Sequence, residues 1–438
     1  MNFIPYPIST VDRRTAFKIV LSGVAVALLC LLVDTLIIVH VDPSSPTGGD
    51  GPFFIGLAKA LASGRGYSLP NAFWPNQPNM DRSPLWPFIL SVPARLFPNA
   101  NPYAVLKFTG AVLHAISAAL MVVLTFQLTG SLLGAALAGG FLAIYPPASG
   151  LVIAGYSEIA FLLVLLAGVI LILEGPRARY LGSLLCGLGV LARSNFLLLP
   201  LMLLLLVALL RPRVITKWHN LRVGIVCTVF FLVPPAIWVV RNYLVSGYFP
   251  ALSSMEGEAF YGGNNARVAS DLLYWGYWVM PNEIPGEKTK KELAQTRSEL
   301  ELSRYYHQKG MDYIRANWFG LPRLILGKLV RGYVPVPWVP LAASYVAFFF
   351  RACLYVAFTF SWFAWRERNE PYAFAVGAIF LVTLLTTVVY YGTFRFTFCV
   401  EPFLLPIIVG GALVAVQGLR APAVSSRHRQ ARLELLRS

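Results

Sequence analysis

Asp50 is the residue of this chain whose position best suits it to chemistry. It lies in the sequence Thr-Gly-Gly-Asp-Gly-Pro-Phe-Phe at positions 47–54, a short polar stretch after the first long apolar segment. Gly51 and Pro52 open a predicted helix, so Asp50 stands at an N-terminus, where a carboxylate is favoured as the anion. An ionised carboxylate beside a membrane surface can accept a proton from a hydroxyl group, as a general base does. The alternative is that Asp50 only caps this helix.

Further charged residues stand at the ends of apolar segments that are far apart in the sequence. Glu158 opens one such segment, whereas Arg241 and Arg395 stand at the ends of others. A guanidinium matches phosphate oxygens with paired donors, so both arginines are candidates for binding a phosphate, with Lys328 and Arg331 as second choices. The alternative for each arginine is a side chain that extends from a helix end towards water.

The composition defines the class of protein that must position these residues. Hydrophobic residues make up 57% of the 438 residues and charged residues only 13%. Several uncharged runs of roughly 20 residues cannot all be buried in a soluble domain of this length, which predicts an all-α polytopic membrane protein. The net charge of +16 falls largely in short loops and at the termini. This distribution is typical of membrane topology and of attraction to anionic membrane lipids, and we expect no nucleic-acid partner.

Ten apolar segments are predicted to cross the membrane. They are residues 17–39, 103–128, 132–147, 159–173, 180–192, 196–210, 223–240, 341–365, 372–390 and 396–416.

Residues 84–97 are also apolar, but a helix of this length spans only about 21 Å against about 30 Å of hydrocarbon. If this segment does not cross, most of the short basic loops and both termini lie on the cytoplasmic side, as the positive-inside rule requires. We therefore predict a helix lying in the outer interface, with Ser83 as its cap, Pro84 in its first turn and Pro98 at its end.

This topology divides the chain into four parts. Residues 1–241 form an N-terminal transmembrane catalytic module that contains the first outer loop, residues 40–102. Residues 242–340 form a small outer domain, predicted to be helical over residues 286–317. Residues 341–418 are C-terminal transmembrane helices, and residues 419–438 are a basic cytoplasmic tail.

The predicted topology also gathers the polar residues from distant segments at one aqueous boundary. They are Asp50, Asp81, Arg82, Glu158, Arg241, Asn242, Glu256, Glu258 and Arg395. Four ionisable residues fall instead within apparent spans or at their ends: Asp34, His114, Arg193 and Arg351. Such groups usually face the bundle interior with a partner. We expect His114 to be a neutral packing residue, and Arg351 to have either a buried partner or the phosphate of a lipid.

Several segments together resemble the membrane glycosyltransferases that use polyprenyl-phosphate sugars. The first outer loop matches through Asp50, Phe54 and Arg82-Ser-Pro-Leu-Trp-Pro-Phe. Later matches are Tyr156-Ser-Glu158, Gly187-Leu-Gly-Val-Leu-Ala-Arg193, Pro235-Ala-Ile-Trp-Val-Val-Arg-Asn242, Gly262-Gly-Asn-Asn265 and Phe394-Arg395-Phe396. Their order is similar to that in the protein O-mannosyltransferases, the lipid A aminoarabinose transferases and the lipopolysaccharide galacturonic acid transferases.

The resemblance implies the GT-C fold, a transmembrane helical bundle with a catalytic cavity at its outer face. It assigns Asp50 as the catalytic base and Glu158 as a second catalytic carboxylate that orients the acceptor or a bound cation. Substrate-binding residues follow from the matched segments and their neighbours: Asp81, Arg82, Asn242, Asn264 and Tyr261. The protein mannosyltransferases carry an Asp-Glu pair in the first loop, whereas this chain has Gly51 at the second position.

We therefore expect an inverting glycosyltransferase of the inner (cytoplasmic) membrane, with its active site on the periplasmic face. The donor is a polyprenyl-phosphate-linked sugar, and the acceptor is a lipid, a glycan or a protein of the cell envelope. The alternatives are a lipid-linked O-antigen ligase or polymerase, and a membrane transporter or flippase. The five histidines are scattered and the chain has no HExxH motif, so no metal site is predicted. No cofactor is obligatory, and a divalent cation is left open.

Overall fold

The computed structural model describes residues 7–69, 78–211, 218–247, 252–334, 342–365 and 370–420. Within these ranges the chain is all-helical, and its only extended pairing is an isolated bridge between Ser68 and Pro78. Nearly all of the predicted basic tail, residues 421–438, lies outside the described residues.

The first half of the chain contains nine α-helices in the described ranges. They are α1 (Arg13–His40), α2 (Gly51–Ala62), α3 (Leu85–Leu96), α4 (Pro102–Thr129), α5 (Leu132–Ala143), α6 (Pro146–Ala154), α7 (Glu158–Glu174), α8 (Ala178–Val190) and α9 (Leu199–Leu210). The second half adds α10 (Trp218–Ser246), α11 (Glu256–Gly263), α12 (Ala266–Ser270), α13 (Lys290–Ala294), α14 (Glu299–Ala316), α15 (Leu321–Tyr333), α16 (Ala342–Trp365), α17 (Glu370–Val389), α18 (Phe394–Phe398) and α19 (Glu401–Arg420).

The chain is an α-helical membrane protein. Among the described residues, five helices are long and apolar enough to cross a membrane: α1, α4, α17 and the greater parts of α10 and α16. Helices α5 and α6 add a sixth if they count as one span, because they join at a bend of 43°. The ten predicted spans exceed this number by four, because α7, with 17 residues, and the apolar helices α8, α9 and α19 are shorter than a full crossing.

Small residues set the closest approaches between helices in the bundle. A Cβ atom at Gly187 of α8 would lie 2.1 Å from the carbonyl oxygen of Phe231 in α10. A Cβ at Gly182 of α8 would lie 2.5 Å from the carbonyl oxygen of Gly168 in α7. Backbones packed this closely gain van der Waals contact, which drives helix association in lipid where hydrophobic burial does not.

The short apolar segment before α4 forms a single helix of 12 residues, α3. The predicted cap is displaced by one residue: Pro84 occupies the N-cap position and no side chain caps the helix. Trp86 anchors α3 to the bundle, because its indole nitrogen donates to the carbonyl oxygen of Gly155 at 2.9 Å. The opposite side of α3 exposes Phe88, Val92 and Leu96. A helix of about 18 Å with one buried and one exposed apolar side suits an interfacial position.

Residues 252–334 are the described part of the predicted outer domain, called the outer domain below, and they have their own apolar core. Tyr261, Leu302, Tyr306 and Leu324 are buried together there. The helix predicted over residues 286–317 is two helices, α13 and α14, each opened by a capping box. In each case a hydroxyl and a glutamate three residues later satisfy the first backbone amides reciprocally.

Two buried ionic groups tie the transmembrane helices together. His114 of α4 has Nδ1 2.8 Å from Asp34 Oδ2 and Nε2 3.0 Å from the carbonyl oxygen of Leu142. Ser149 donates to the other oxygen of Asp34 at 2.6 Å. Both ring nitrogens and both carboxylate oxygens of this pair therefore have hydrogen-bond partners. The predicted neutral packing histidine is thus a hydrogen-bonded partner of Asp34.

Arg351 of α16 pairs with Glu401 of α19, which is the buried partner that the sequence left unidentified. Its Nε donates to Glu401 Oε1 at 2.8 Å, and both side chains are buried. Tyr145 donates to the other carboxylate oxygen of Glu401 at 2.8 Å, and Tyr355 donates to Oε1 at 2.5 Å. The ion pair is therefore fully hydrogen-bonded, as a charge buried between membrane helices must be.

Replacing Arg351 with methionine should lower the apparent unfolding free energy by about 3–5 kcal/mol, because Glu401 is left charged and buried. Thermal unfolding in detergent micelles measures the loss. The matched control is Arg211→Met, which breaks the exposed pair with Glu370 and should cost less than about 1 kcal/mol. The double variant Arg351→Met/Glu401→Met should recover part of the loss. Equal destabilisation by the two single variants would contradict this account.

Candidate active site at the outer ends of the helices

Asp50 stands at the N-cap position of α2, but it does not cap the helix. No side-chain cap hydrogen bond is formed there. Its carboxylate instead meets two guanidinium groups: Oδ1 lies 3.3 Å from Arg82 Nη2, and Oδ2 lies 3.2 Å from Arg395 Nη2. The side chain keeps 24% of its surface exposed, so a small molecule can approach it.

Arg395 connects Asp50 to Glu158, the second predicted catalytic carboxylate. Arg395 Nε donates to Glu158 Oε1 at 2.6 Å, and Arg193 Nη1 donates to the same oxygen at 2.7 Å. The side chain of Glu158 is completely buried. Three residues predicted to share the outer boundary, Asp50, Glu158 and Arg395, therefore form one ionic cluster.

Asp81 and Arg82 extend this cluster along the first outer loop. Arg82 Nη1 lies 3.0 Å from Asp81 Oδ2, and Arg82 also stacks on Phe53 with its guanidinium carbon 4.6 Å from the ring centre. Among the described residues the cluster has three cations, Arg82, Arg193 and Arg395, and three carboxylates, Asp50, Asp81 and Glu158. The formal charges balance, which allows so many ionised groups to be half-buried together.

The electrostatics of the cluster keep its charges in place. Burial alone would raise the pKa of Asp50, but the neighbouring Arg82 and Arg395 outweigh it and lower that pKa. Burial opposes the charge of Arg395 as well, yet Glu158 and Asp50 raise its pKa well above the ordinary value. Asp50 is therefore an anion, the form that a general base requires.

Aromatic rings enclose the cluster. The guanidinium carbon of Arg395 lies 3.7 Å from the ring centre of Tyr156, and Tyr391 packs on Phe396 at 4.9 Å between ring centres. Tyr277 and Trp278 of the outer domain reach Tyr391 at 6.5 and 6.3 Å. These two aromatic residues of the segment 274–278 thus lie close to the charged residues. Faces of aromatic rings are suited to pack against sugars, as well as to hold guanidinium groups.

Glycine is required where the loop passes this aromatic wall. Gly49 has a φ of +62°, a left-handed conformation that L side chains rarely adopt. A Cβ atom there would also lie 2.6 Å from the hydroxyl oxygen of Tyr156. Gly49 therefore lets the loop bring Asp50 close to Tyr156 and Arg395.

Several buried polar atoms of the cluster have no hydrogen-bond partner among the described residues. They are Glu158 Oε2, Arg193 Nε, and Nε and Nη1 of Arg82. Arg82 Nη1 is close to Asp81 but poorly aligned for a hydrogen bond. Leaving such groups unpaired costs free energy, so the site is built to receive polar atoms from a ligand or from water.

Arg241 and Asn242 lie beside the cluster rather than in it. Arg241 Nη1 donates to the carbonyl oxygen of Asn79 at 2.8 Å and to Asn242 Oδ1 at 2.9 Å. Arg241 Nη2 donates to the carbonyl oxygen of Tyr67 at 3.3 Å. In this arrangement Arg241 ties the end of α10 to the first outer loop, and it makes no contact with Asp50. Its predicted phosphate role stays a prediction.

Lys328 and Asn264 join the outer domain to the end of α17. Lys328 is buried, and its ammonium group donates to Asn264 Oδ1 at 2.8 Å and to the carbonyl oxygens of Val388 and Val389 at 3.0 and 3.3 Å. Burial without a carboxylate partner lowers the pKa of Lys328 to about 7. All three donors of the ammonium group are used internally, so binding a phosphate would require Lys328 to give up one of these acceptors.

Arg331 and Tyr261 also make internal contacts. Arg331 Nε donates to the carbonyl oxygen of Trp275 at 2.6 Å and its guanidinium lies 5.3 Å from the ring centre of Tyr277, which holds the aromatic loop. Tyr261 donates to Glu287 at 2.8 Å within the outer domain. Arg331 therefore positions the aromatic loop, and the substrate contacts of Arg331 and Tyr261 stay predictions.

Arg193 is a site residue that the sequence analysis does not assign, although its position in the chain is a signal for it. It ends the matched segment Gly187-Leu-Gly-Val-Leu-Ala-Arg193, where an arginine follows an apolar run. In the structure it shares Glu158 with Arg395 and lies 5.1 Å from the ring centre of Phe396.

One described group has the right residue types for a metal ion, namely Cys30, Asp34 and His114, whose ligand atoms lie within 4.8 Å of one another. It lies among α1 and α4 rather than at the cluster. Its acceptors and donors already satisfy one another.

Two comparisons of this chain with known proteins find no match. No protein-family model matches it. No curated protein matches it either.

Glu299 holds the outer domain against the first outer loop next to the cluster. Its carboxylate accepts from the backbone amide of Met80 at 3.2 Å and from the hydroxyl of Ser254, and it is 7% exposed. Burial, with a further contribution from the charge of Asp81, raises the pKa of Glu299 to about 7.

This pKa predicts how stability depends on pH. Between pH 4.5 and about 7 the folded protein binds a proton at Glu299 that the unfolded chain releases, so this residue's stabilising contribution is lost as pH rises through about 7. Glu299→Gln keeps the acceptor oxygen and should flatten the fall in melting temperature between pH 5 and pH 8. Glu292→Gln, at an exposed capping box, is the control and should leave the fall unchanged. An unaltered pH profile in Glu299→Gln would refute the assignment.

Proposed function

We propose that this chain is an inverting membrane glycosyltransferase, which moves a sugar from a polyprenyl-phosphate donor to a cell-envelope acceptor at the outer face of the inner membrane. The observation that carries the proposal is the contact of Arg395 with both Asp50 and Glu158. These residues come from three distant segments, and each stands in a segment that resembles the polyprenyl-phosphate-dependent transferases. The ten-span topology with cytoplasmic termini belongs to the same proposal.

The chemistry starts at Asp50. Its carboxylate takes the proton from an acceptor hydroxyl, and the hydroxyl oxygen attacks the anomeric carbon of the donor sugar. The bond between that carbon and the phosphate oxygen breaks, and its electron pair leaves with the polyprenyl phosphate. A single displacement inverts the configuration at the anomeric carbon. The leaving group is a stable anion and needs no acid if cations receive it.

Arg395 is suited to receive that anion. Its Nε and Nη2 are held by Glu158 and Asp50, while Nη1 has no partner among the described residues. Stacking on Tyr156 fixes the plane of the guanidinium. Glu158 therefore acts as a positioning residue in this proposal, since it orients both Arg395 and Arg193. Oriented donors that are fixed before the reaction stabilise developing charge without reorganisation.

The balance of charge also favours the direction of the reaction. Before transfer, three arginines face three carboxylates. Once Asp50 has accepted a proton, the cluster carries one net positive charge. The phosphate that leaves the sugar gains negative charge at the same step. The site thus becomes more attractive to the leaving group as the proton moves to Asp50.

The direct test compares Asp50→Asn with the wild-type chain. A strain that lacks this chain is complemented with each gene, and mass spectrometry measures the sugars on its surface glycolipids and glycoproteins. Purified protein is then assayed with the sugar donor that the strain comparison identifies. Asp50→Asn should lower transfer by about 10²–10⁴-fold, the usual contribution of a general base. Asp42→Asn is the matched control, because Asp42 lies in the same loop and is an acid with a φ of 70°, which asparagine tolerates.

Unchanged transfer in Asp50→Asn would show that this acid is misassigned. The same assays separate the alternatives. Transfer of a complete lipid-linked glycan that does not need Asp50 would indicate an O-antigen ligase or polymerase. Movement of a lipid or solute across liposomes without release of polyprenyl phosphate would indicate a transporter or flippase.

A further inference from the structure

A cleft separate from the active site opens between α2, α3 and the first turns of α4. Its volume is about 400 Å³. Most of its lining is apolar, including Ile55, Ala58, Leu90, Ala94, Val105 and Leu106. The cleft therefore offers a surface for a hydrocarbon chain rather than for a polar solute.

Two cations, Lys59 of α2 and Arg95 of α3, line the same cleft. No carboxylate is among its lining residues, and neither cation forms an ion pair or a side-chain hydrogen bond with a described residue. Each stands in the last turn of its helix, where the helix dipole already favours a positive charge. The helix dipole accounts for each cation separately. It does not account for the presence of both cations at one apolar cleft that has no carboxylate in its lining.

The surface around the cleft faces lipid. Leu96 and Phe97 at the end of α3 are exposed, and so are Phe108 and Val112 on α4, a helix apolar and long enough to cross the membrane. An exposed apolar surface of this kind is stable only against hydrocarbon or a partner. A molecule that enters the cleft therefore comes from the bilayer.

We propose that the cleft binds an anionic phospholipid of the surrounding membrane, with the phosphate between Lys59 and Arg95 and one acyl chain along the apolar lining. Charge complementarity selects the headgroup, because the lining carries cations and no anion. A zwitterionic lipid would bring a second cation next to Lys59 and Arg95.

This lipid is not the donor of the proposed transfer. Lys59 follows Asp50 by nine positions on one helix, which places them about 13 Å apart along the axis. A phosphate bonded to the reacting sugar at Asp50 cannot lie at Lys59 as well. The proposal concerns a second lipid and does not depend on the transfer reaction.

Native mass spectrometry of the purified full chain tests the binding directly. Protein is exchanged into equal mixtures of phosphatidylglycerol and phosphatidylcholine, and retained lipids are counted. Wild type should retain phosphatidylglycerol, and Lys59→Gln/Arg95→Gln should lower the preference by at least about tenfold, the factor for one lost charge-assisted hydrogen bond, because it removes two cations. Lys288→Gln/Lys291→Gln in the outer domain removes the same charge and should keep the preference.

A second variant separates the cleft from simple surface charge. Ala94→Trp fills the cleft while both cations remain, and it should also abolish retention of phosphatidylglycerol; Ala62→Phe does the same from α2 if Ala94→Trp does not fold. Retention that survives filling would overturn the proposal. So would an unaltered lipid preference in Lys59→Gln/Arg95→Gln. Displacement of phosphatidylglycerol by added polyprenyl phosphate would assign the cleft to that lipid instead.

Discussion

The bridging of two carboxylates by Arg395 is the interaction on which the rest of the site depends. Without its guanidinium, Asp50 and Glu158 would lose the cation that they share, and Arg82 would be the one described arginine left in contact with Asp50 to lower its pKa. The neighbouring structure fixes this one side chain. Thr393 caps the short helix that carries Arg395, and Tyr156 stacks on the guanidinium. The segments that carry Asp50, Glu158 and Arg395 therefore meet where one guanidinium can pair with both carboxylates.

Two kinds of buried charged group occur in the described part of the chain. They differ in whether all of their polar atoms are hydrogen-bonded, and this difference indicates which of them bind a ligand. Deep in the bundle, Arg351 with Glu401 and Asp34 with His114 are fully hydrogen-bonded and buried. Lipid provides no partner for a polar group, so these pairs must satisfy each other. In the cluster around Asp50, Glu158 and Arg193 keep buried atoms that have no hydrogen-bond partner among the described residues. Such unsatisfied groups are tolerated in a site that binds polar ligands, because the ligand completes them.

The sequence predicted the helical class and the gathering of Asp50, Glu158 and Arg395, because hydropathy and segment ends follow from residue types alone. It did not predict Arg193 or Glu401. Glu401 stands at the start of an apolar run, like many capping acids, and only the packing of α19 on α16 brings it to Arg351. Hydropathy alone does not determine the number of spans. Short apolar helices are also stable when they pack on longer helices through close glycine contacts.

Under the proposed function, the local geometry at Gly51 bears on the acceptor. The protein mannosyltransferases have a glutamate at the corresponding position, where this chain has a glycine. Here a Cβ at residue 51 would lie 2.0 Å from Thr47 Oγ1, so any side chain requires Thr47 to rotate away. Thr47 Oγ1 is itself buried and has no hydrogen-bond partner in the part of the chain that the structure describes. Asp50 therefore has no second carboxylate next to it in the sequence. Position 51 has no side chain, and the group nearest to its missing Cβ is the hydroxyl of Thr47.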